Sequence, residues 1–285
     1  MKILILGTSG RLGNSLYHAL NTNNRVFHTG LKKRKIDFNK LKKLEKLIIA
    51  TKPEIIINCV SKSNIDYCEK FKKKSNLINV GIIKKIVNIK KNFNMKFKLV
   101  HFSTDHMYDI SNKKNKENSK NKINNHYTKQ KIESEKIAID NDAIVFRINF
   151  FGFSNSKYQT FTDWLFTKFK KGEKLTLFND VHFNPISLRT LSKIISKLIK
   201  NKSFFLTKGI YNLGSKNCIT KKNFAIKFLS KQNFEYSSVN VNSVCKVKRS
   251  KYMQMNVNKF ERKFNFKMPY VEKEIMKEKQ LYEKN

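Results

Sequence analysis

Tyr127 and Lys131 stand four residues apart, so on a helix they share one face. A free phenol titrates near 10 and is a poor acid or base at neutral pH. A lysine ammonium beside it favours the phenolate and can also hold sugar hydroxyls. Ahead of this pair, the apolar stretch 97–103 reads as a strand that runs into Ser103-Thr104-Asp105. The Thr104 hydroxyl then projects from the carboxyl end of a strand, where it can hold the carbonyl oxygen that Tyr127 would protonate. Such a set suits hydride transfer to a carbonyl: Tyr127 as acid, Lys131 as its tuner, Thr104 as the orienting group. In a lysine-rich chain with ten tyrosines the Tyr-x-x-x-Lys spacing also arises by chance. Its position after the Ser-Thr-Asp strand, at the start of the next helical pattern, carries the reading.

Hydride transfer needs a carrier. Residues 1–13 read MKILILGTSGRLG, an apolar strand followed by Gly7, Gly10 and Gly13 and then a helical pattern. Gly7 permits a sharp turn and Gly10 lets the backbone approach a pyrophosphate. Gly13 lets the helix lie close to the sheet, and the helix N-terminus offers N–H groups and positive potential to phosphate. The spacing is GxxGxxG rather than the commoner GxGxxG. The plainer alternative is a strand-to-helix turn that binds nothing.

The elements that must position these residues alternate. Strand candidates at 2–6, 25–29, 55–59, 97–103 and 143–149 are separated by amphipathic helical stretches near 12–20, 39–51, 76–92 and 127–140. This predicts an α/β fold of Rossmann type, a doubly wound parallel sheet with helices on both faces, and a smaller C-terminal substrate-binding lobe. Residues 1–150 form the dinucleotide-binding domain in this reading. Residues 184–213, a helix at 188–201 and a strand at 209–213, return to it, and 151–285 are mainly the lobe. Helices are expected at 220–231, 256–264 and 271–284, the last rich in Lys and Glu that can pair at i,i+4. The stretch 111–125, nearly all Lys, Asn, Ser and Glu, is expected to be a mobile loop.

Composition limits the alternatives. Sixty basic and 21 acidic residues leave a net charge of +39. Only seven of the sixty are Arg, and the lysines are spread through every segment without an aromatic-interleaved stripe. Nucleic acid is therefore not expected as the partner, although the charge would draw an anionic substrate. No apolar run approaches the roughly 20 residues of a membrane span. Cys59, Cys68, Cys218 and Cys245 are far apart with no CxxC pair, which suggests reduced thiols in a cytoplasmic protein and no metal site.

The chain resembles the extended short-chain dehydrogenase/reductases, and within them the dTDP-4-dehydrorhamnose reductases and their sugar-nucleotide-binding relatives. The matching segments run nearly end to end: GTSGRLG at 7–13, IINCVSKSNIDYCE at 56–69, NVGIIKKIV at 79–87, FSTDHMYD at 102–109, YTKQK at 127–131 and FRINFFG at 146–152. They continue with NPISLRTLSKII at 184–195, GIYNLGSKNCITKKNFA at 209–225 and NVNKFERKFNFKMP at 256–269. The resemblance implies that Thr104, Tyr127 and Lys131 are the catalytic triad, with Tyr127 and Lys131 also touching the cofactor. It implies that Gly7, Thr8, Gly10, Arg11, Leu12 and Gly13 hold the pyrophosphate. Asp37 and Phe38 would border the adenine, and Cys59, Val60 and Ser61 would pass along the cofactor. Asn79 would be a buried support for the neighbouring strand. For Asp37 an N-cap before the following helix is an equal reading.

Three departures from the family pattern lie on the substrate side. Tyr-Gly-x-Thr-Lys is Tyr-Thr-Lys-Gln-Lys here, the family Trp after the sixth strand is Phe150 or Phe151, and Gln-x-Gly-x-Pro-Thr reads Val181-His182-Phe183-Asn184-Pro185-Ile186. The expected reaction is NAD(P)H-dependent reduction of a nucleotide-diphosphate 4-keto-6-deoxysugar, dTDP-4-dehydro-L-rhamnose first among them. It needs no metal, and a homodimer is compatible with it. Arg147 and Arg189 are candidate diphosphate contacts, with a structural salt bridge the plainer role for each. An epimerase or dehydratase of the same superfamily and a non-catalytic regulatory subunit are the rival readings.

An NAD-preferring turn usually ends its second strand on Asp or Glu. Here the strand 25–29 is followed by Gly30-Leu31-Lys32-Lys33-Arg34, and Arg11 adds a fourth cation. Lys32 and Arg34 are thus candidate ligands of a 2′-phosphate. NADPH is expected to be preferred over NADH by at least about tenfold in kcat/KM, or about 1.4 kcal/mol. Added salt should shrink the ratio by screening. Equal use of both nucleotides at low salt would show that these cations do not reach the phosphate.

Overall fold

The protein is described by a computed structural model over residues 1–30, 41–111, 114–153, 160–229 and 233–284. Lys32, Arg34, Asp37 and Phe38 lie outside the described residues. The first half runs β1 Lys2–Leu6, α1 Arg11–Leu20, β2 Arg25–Thr29, α2 Lys42–Thr51, β3 Ile55–Asn58, α3 Ile65–Lys70 and α4 Lys72–Asn76. A π turn at Leu77–Gly81 leads into α5 Ile82–Asn92, then β4 Lys98–Thr104, α6 His126–Ile139 and β5 Ile144–Ile148. The rest comprises β6 Phe150–Phe151, α7 Phe161–Lys170, β7 Leu175–Phe178, β8 His182–Phe183, β9 Ile186–Ser187, α8 Leu188–Leu198, α9 Ser203–Leu206 and β10 Gly209–Leu213. It ends with β11 Ile219–Thr220, α10 Lys221–Phe228, β12 Tyr236–Val239, α11 Val241–Val244, α12 Asn258–Phe264 and α13 Val271–Lys284.

Six strands pair in parallel in the order β10-β5-β4-β3-β1-β2. Strands covered on both faces are buried along their whole length: β3 as the apolar run IIIN, β4 as KLVHFST, whose polar Lys98, His101, Ser103 and Thr104 are buried too. One face packs on α1 and α8 through Leu12, Leu16, Leu191 and Ile195, and the other on α2 and α5 through Leu44, Ile48, Ile83 and Ile86. The chain reverses direction across the sheet between β1 and β3. Loops at the carboxyl ends of those strands therefore diverge and leave a crevice, the usual ligand position in such sheets.

A second apolar cluster holds Phe151, Leu165, Leu177, Phe224, Phe228 and Tyr282. Helix α7 enters it from a capping box, in which Thr160 accepts from the Asp163 N–H and Asp163 accepts from the Thr160 N–H. Helix α12 does not join this cluster. Its Phe260 packs with Tyr211 of β10 and Met268 in the main core. The parallel pair of β7 and β12 and the short helices α3, α4 and α11 are not signalled by periodicity. They are brief, and their pairing partners are distant in sequence.

The described residues 114–125 make more tertiary bonds than a solvated stretch needs. Asn115 is buried, pairs its backbone with Gln254 and Asn256, and donates its side-chain amide to the Tyr252 and Gln254 carbonyls. Glu117 accepts from the Asn212 N–H, and Asn124 donates to Asp109 and Ser250. Short polar side chains that look like a solvated loop instead supply the bonds that pin it.

Arg147 is the most demanding buried group. Its Nε and Nη2 donate to Glu135 at 2.9 and 2.7 Å, and its Nη1 donates to the Tyr108 hydroxyl at 2.6 Å and the Glu117 carbonyl at 3.1 Å. The salt-bridge role is therefore the one Arg147 fills: it is buried, and these bonds take four of its five N–H donors. Truncating one partner strands a buried charge, at a cost of about 3–5 kcal/mol. Glu135→Ala should lower unfolding stability in urea by that amount. The pair Glu135→Leu with Arg147→Met should recover most of it. A loss below about 1 kcal/mol for the single variant would contradict the ion pair.

Candidate active site

The glycine turn follows β1 directly. Gly7 takes φ +89°, which a side chain rarely tolerates, and a Cβ on Gly13 would stand 2.3 Å from the Gly7 carbonyl oxygen. Gly10 is the N-cap of α1 and offers no side-chain cap, and no acid occupies the first turn. The first intrahelical bond runs from the Asn14 N–H to Gly10, so the N–H groups of Arg11, Leu12 and Gly13 precede it. A close-packed turn under an uncapped, acid-free helix N-terminus fits a dinucleotide pyrophosphate.

Two expected phosphate contacts act differently. Thr8 is fully buried, and both its N–H and its hydroxyl donate to the Thr29 carbonyl, at 2.8 and 2.7 Å. It clips the turn to β2 and has no donor left for phosphate. Arg11 lies over the Phe150 ring, 5.9 Å from its centroid, and faces Asp163 and Tyr282. Its side chain is thus turned to α7 and α13, and burial lowers its pKa. Leu12 is buried in the main core, so only its backbone faces the turn.

Cys59, Val60 and Ser61 leave β3 beside this turn; a Cβ on Gly7 would meet Val60 at 3.0 Å. The Ser61 hydroxyl donates to Asn79 at 3.2 Å. Asn79 sits in the π turn, accepts from the Lys62 N–H at 2.7 Å and donates to the Gln130 side chain at 2.7 Å. It thereby ties the loop after β3 to α6.

Helix α6 begins where the Asn125 side chain accepts from the Thr128 N–H. Tyr127 lies in its first turn, packed by Ile65, Cys68 and Val247. Burial pushes its pKa up to about 12, opposed by hydrogen bonds with the hydroxyls of Thr104 and Ser61. The fold thus brings Thr104, Tyr127 and Ser61 together. Lys131 is close by but differently engaged. Its Nζ donates to the Phe102 carbonyl at 2.7 Å and stands 3.4 Å from His101 Nε2. Burial thus makes the phenol hold its proton more firmly than a free one. Burial brings Lys131 itself down to about 8.

The sequence reading missed several neighbours. Asp105 is fully buried, bonded by Asn149 Nδ2 at 2.7 Å, and pushed up to about 7 by burial with Lys221 as its counter-charge. A cavity of about 240 Å³ opens beside His106, with Lys221, Arg249 and Asp66 in its wall. Lys221 opens α10 and Arg249 lies after α11, so no local spacing links them to Thr104. Arg189 is exposed on α8. Among the described residues no His, Cys, Asp and Glu cluster could hold a metal, and no helix is long and apolar enough to cross a membrane.

No curated sequence matches the chain. Solved structures do. The dTDP-4-dehydrorhamnose reductase of Bacillus anthracis in complex with NADP aligns with TM-score 0.86 at 20% identity, over 97% of this chain and 98% of that one. A hypothetical dTDP-4-dehydrorhamnose reductase of Sulfolobus tokodaii aligns with TM-score 0.82 at 26% identity, over 95% and 96%. The dTDP-glucose 4,6-dehydratase of Bacillus anthracis in complex with NAD aligns with TM-score 0.80 at 20% identity, over 100% and 97%. The sequence profile of the RmlD substrate binding domain matches residues 1–281, and the chain belongs to that family.

Proposed function

We propose that the chain is an NADPH-dependent reductase of a nucleotide-linked 4-keto-6-deoxysugar, with dTDP-4-dehydro-L-rhamnose as substrate and dTDP-L-rhamnose as product. NADH is the weaker alternative cofactor. The observation that carries the reading is the buried Tyr127 phenol beside the Thr104 hydroxyl, at the carboxyl end of a sheet whose glycine turn fits a dinucleotide. The similarity of the whole fold to dTDP-4-dehydrorhamnose reductases supports the substrate class.

When bound, the nicotinamide supplies the hydride. Gly7, Gly10 and Gly13 admit the pyrophosphate, and the N–H groups of Arg11, Leu12 and Gly13 meet its charge. The Thr104 hydroxyl orients the sugar carbonyl oxygen, and Tyr127 gives that oxygen its proton. Lys131, held by the Phe102 carbonyl, keeps further N–H donors for ribose hydroxyls and the tyrosine oxygen. The residues around the second apolar cluster close over the sugar nucleotide. Lys221 and Arg249 line the cavity beside His106 and meet its anionic diphosphate. A cytoplasmic setting belongs to this reading and is supported by the four cysteines, none of which is paired in a disulfide.

A panel of nucleotide 4-keto sugars, followed by NADPH oxidation, tests the reading. Net consumption of NADPH excludes an epimerase or dehydratase, which would recycle its nucleotide. Tyr127→Phe should lower kcat by about 10²–10⁴ with cofactor affinity little changed. Turnover at the wild-type rate would remove Tyr127 from the mechanism.

Asp105 adds a pH dependence of stability. Its folded pKa of about 7 stands above the ordinary 3.8, so the folded protein holds this proton more tightly than the unfolded chain. The resulting stabilisation is complete below about pH 4 and is lost as pH rises through about 7. The loss is of order 4 kcal/mol. Thermal unfolding from about pH 5 to 8 should fall less steeply in Asp105→Asn than in the wild type. Identical slopes would show that Asp105 is not protonated in the fold.

A further inference from the structure

We propose that Ser61 is a further catalytic residue, whose hydroxyl turns from Asn79 to the Tyr127 oxygen when the phenol gives up its proton. The inference rests on the role given to Tyr127 above. It starts from the loop after β3. The Ser61 hydroxyl donates to Asn79 Oδ1 at 3.2 Å. Its oxygen keeps its lone pairs, and it is one of two hydroxyl partners of the Tyr127 phenol. With its proton in place, Tyr127 can donate to that oxygen. Once the proton has gone to the sugar oxygen, the phenolate can only accept, and Ser61 must donate.

Asn79 permits that turn without loss. Its Oδ1 also accepts from the Lys62 N–H at 2.7 Å, so this buried acceptor stays bonded when the serine proton leaves it. Its Nδ2 donates to the Lys62 carbonyl at 3.1 Å and to Gln130 Oε1 at 2.7 Å. Gln130 lies on α6 with Tyr127, and its own Nε2 donates to Ser75 Oγ at 2.8 Å. The Asn79 amide thus holds the Lys62 backbone to the helix that carries the acid. Ser61, the neighbour of Lys62, keeps its backbone place while its hydroxyl rotates. Its side chain is exposed, so close packing does not fix that hydroxyl in one rotamer.

The other groups around the phenol do not fill this role. Thr104, the second hydroxyl partner, accepts from the His106 N–H at 3.2 Å, and its proton is the one that orients the sugar carbonyl. Asp105 after β4 and Cys68 on α3 face the phenol, and their charges oppose its ionisation. The His106 ring meets the Tyr127 ring edge to face, and burial keeps that imidazole neutral. Ile65 and Val247 are apolar. Lys131 supplies positive charge from the same helix, and Ser61 adds to it an O–H aimed at the developing anion. Burial makes that anion costly, so a charge-assisted hydrogen bond strengthens the acid at the step that uses it. The Tyr127 O–H bond breaks and the sugar O–H bond forms. Ser61 keeps its own proton throughout, and solvent restores that of Tyr127.

The test uses the full chain without ligand, carrying at position 127 a ring-fluorinated tyrosine that brings the phenol into the accessible pH range. A ¹⁹F NMR titration then reads its midpoint without turnover. Ser61→Ala should raise the midpoint by about half a pH unit or more, a roughly threefold or larger loss of acidity. Ser61→Thr, which keeps a hydroxyl, should restore the wild-type midpoint. In the unlabelled enzyme Ser61→Ala should lower kcat for NADPH oxidation by about threefold to tenfold with the KM for NADPH little changed. An unmoved midpoint in Ser61→Ala overturns the proposal. So does a rise in KM with kcat unchanged, which would make Ser61 a nucleotide contact and nothing more. A chain whose midpoint moves as expected yet never oxidises NADPH would sink the reductase reading and leave the contact of Ser61 with the phenolate standing.

Discussion

Helix α6 is packed against the sheet by polar side chains. Thr128, Gln130, Lys131, Ser134 and Glu135 are all buried, alongside Tyr127 and Ala138. An ordinary helix on a sheet buries a leucine or isoleucine stripe and tolerates sliding by a fraction of a turn. Here each buried group is matched to a specific partner: Gln130 to Asn79 and Ser75, Lys131 to the Phe102 carbonyl, Ser134 to His101, Glu135 to Arg147. A buried polar group left unpaired costs more than a lost apolar contact, so the arrangement permits essentially one seat for the helix. That seat fixes where Tyr127 stands.

The same logic explains why the chain tolerates so costly an interior. Arg147 and Glu135 together are not a strong source of stability, since burying two charges is expensive even when they pair well. Their value is in register. Arg147 of β5 also reaches Tyr108 and the Glu117 carbonyl, and Glu117 in turn receives the Asn212 N–H of β10. One guanidinium thereby ties β5, β10, α6 and the 111–125 segment into a single polar layer beneath the candidate site.

At the other side of the crevice, Thr8 and Gly7 use their donors on Thr29, which fastens the glycine turn to β2. With the turn held from behind, its open side is the uncapped N-terminus of α1. The two halves of the site are thus positioned by different means: close glycine packing for the nucleotide side, a satisfied polar network for the acid side. Asn79 and Ser61 join them across the loop after β3.

The α/β alternation, the glycine turn and the shared helical face of Tyr127 and Lys131 were legible in the sequence because each is a local signal. Apolar runs of four to seven residues, glycines at fixed intervals and an i,i+4 pair depend only on chain geometry. Other features were decided by contacts between residues far apart in the chain. Thr8 read as a phosphate ligand until its partner proved to be Thr29. The 111–125 stretch read as a loose loop until Asn115 and Glu117 met strands and loops about a hundred residues away. Lys131 read as the tuner of Tyr127, but the Phe102 carbonyl and His101 take its nearest contacts. Composition and spacing determine which groups a segment offers. Which of them pair, and so which remain for a ligand, depends on hydrogen-bond partners that only the folded chain brings within reach.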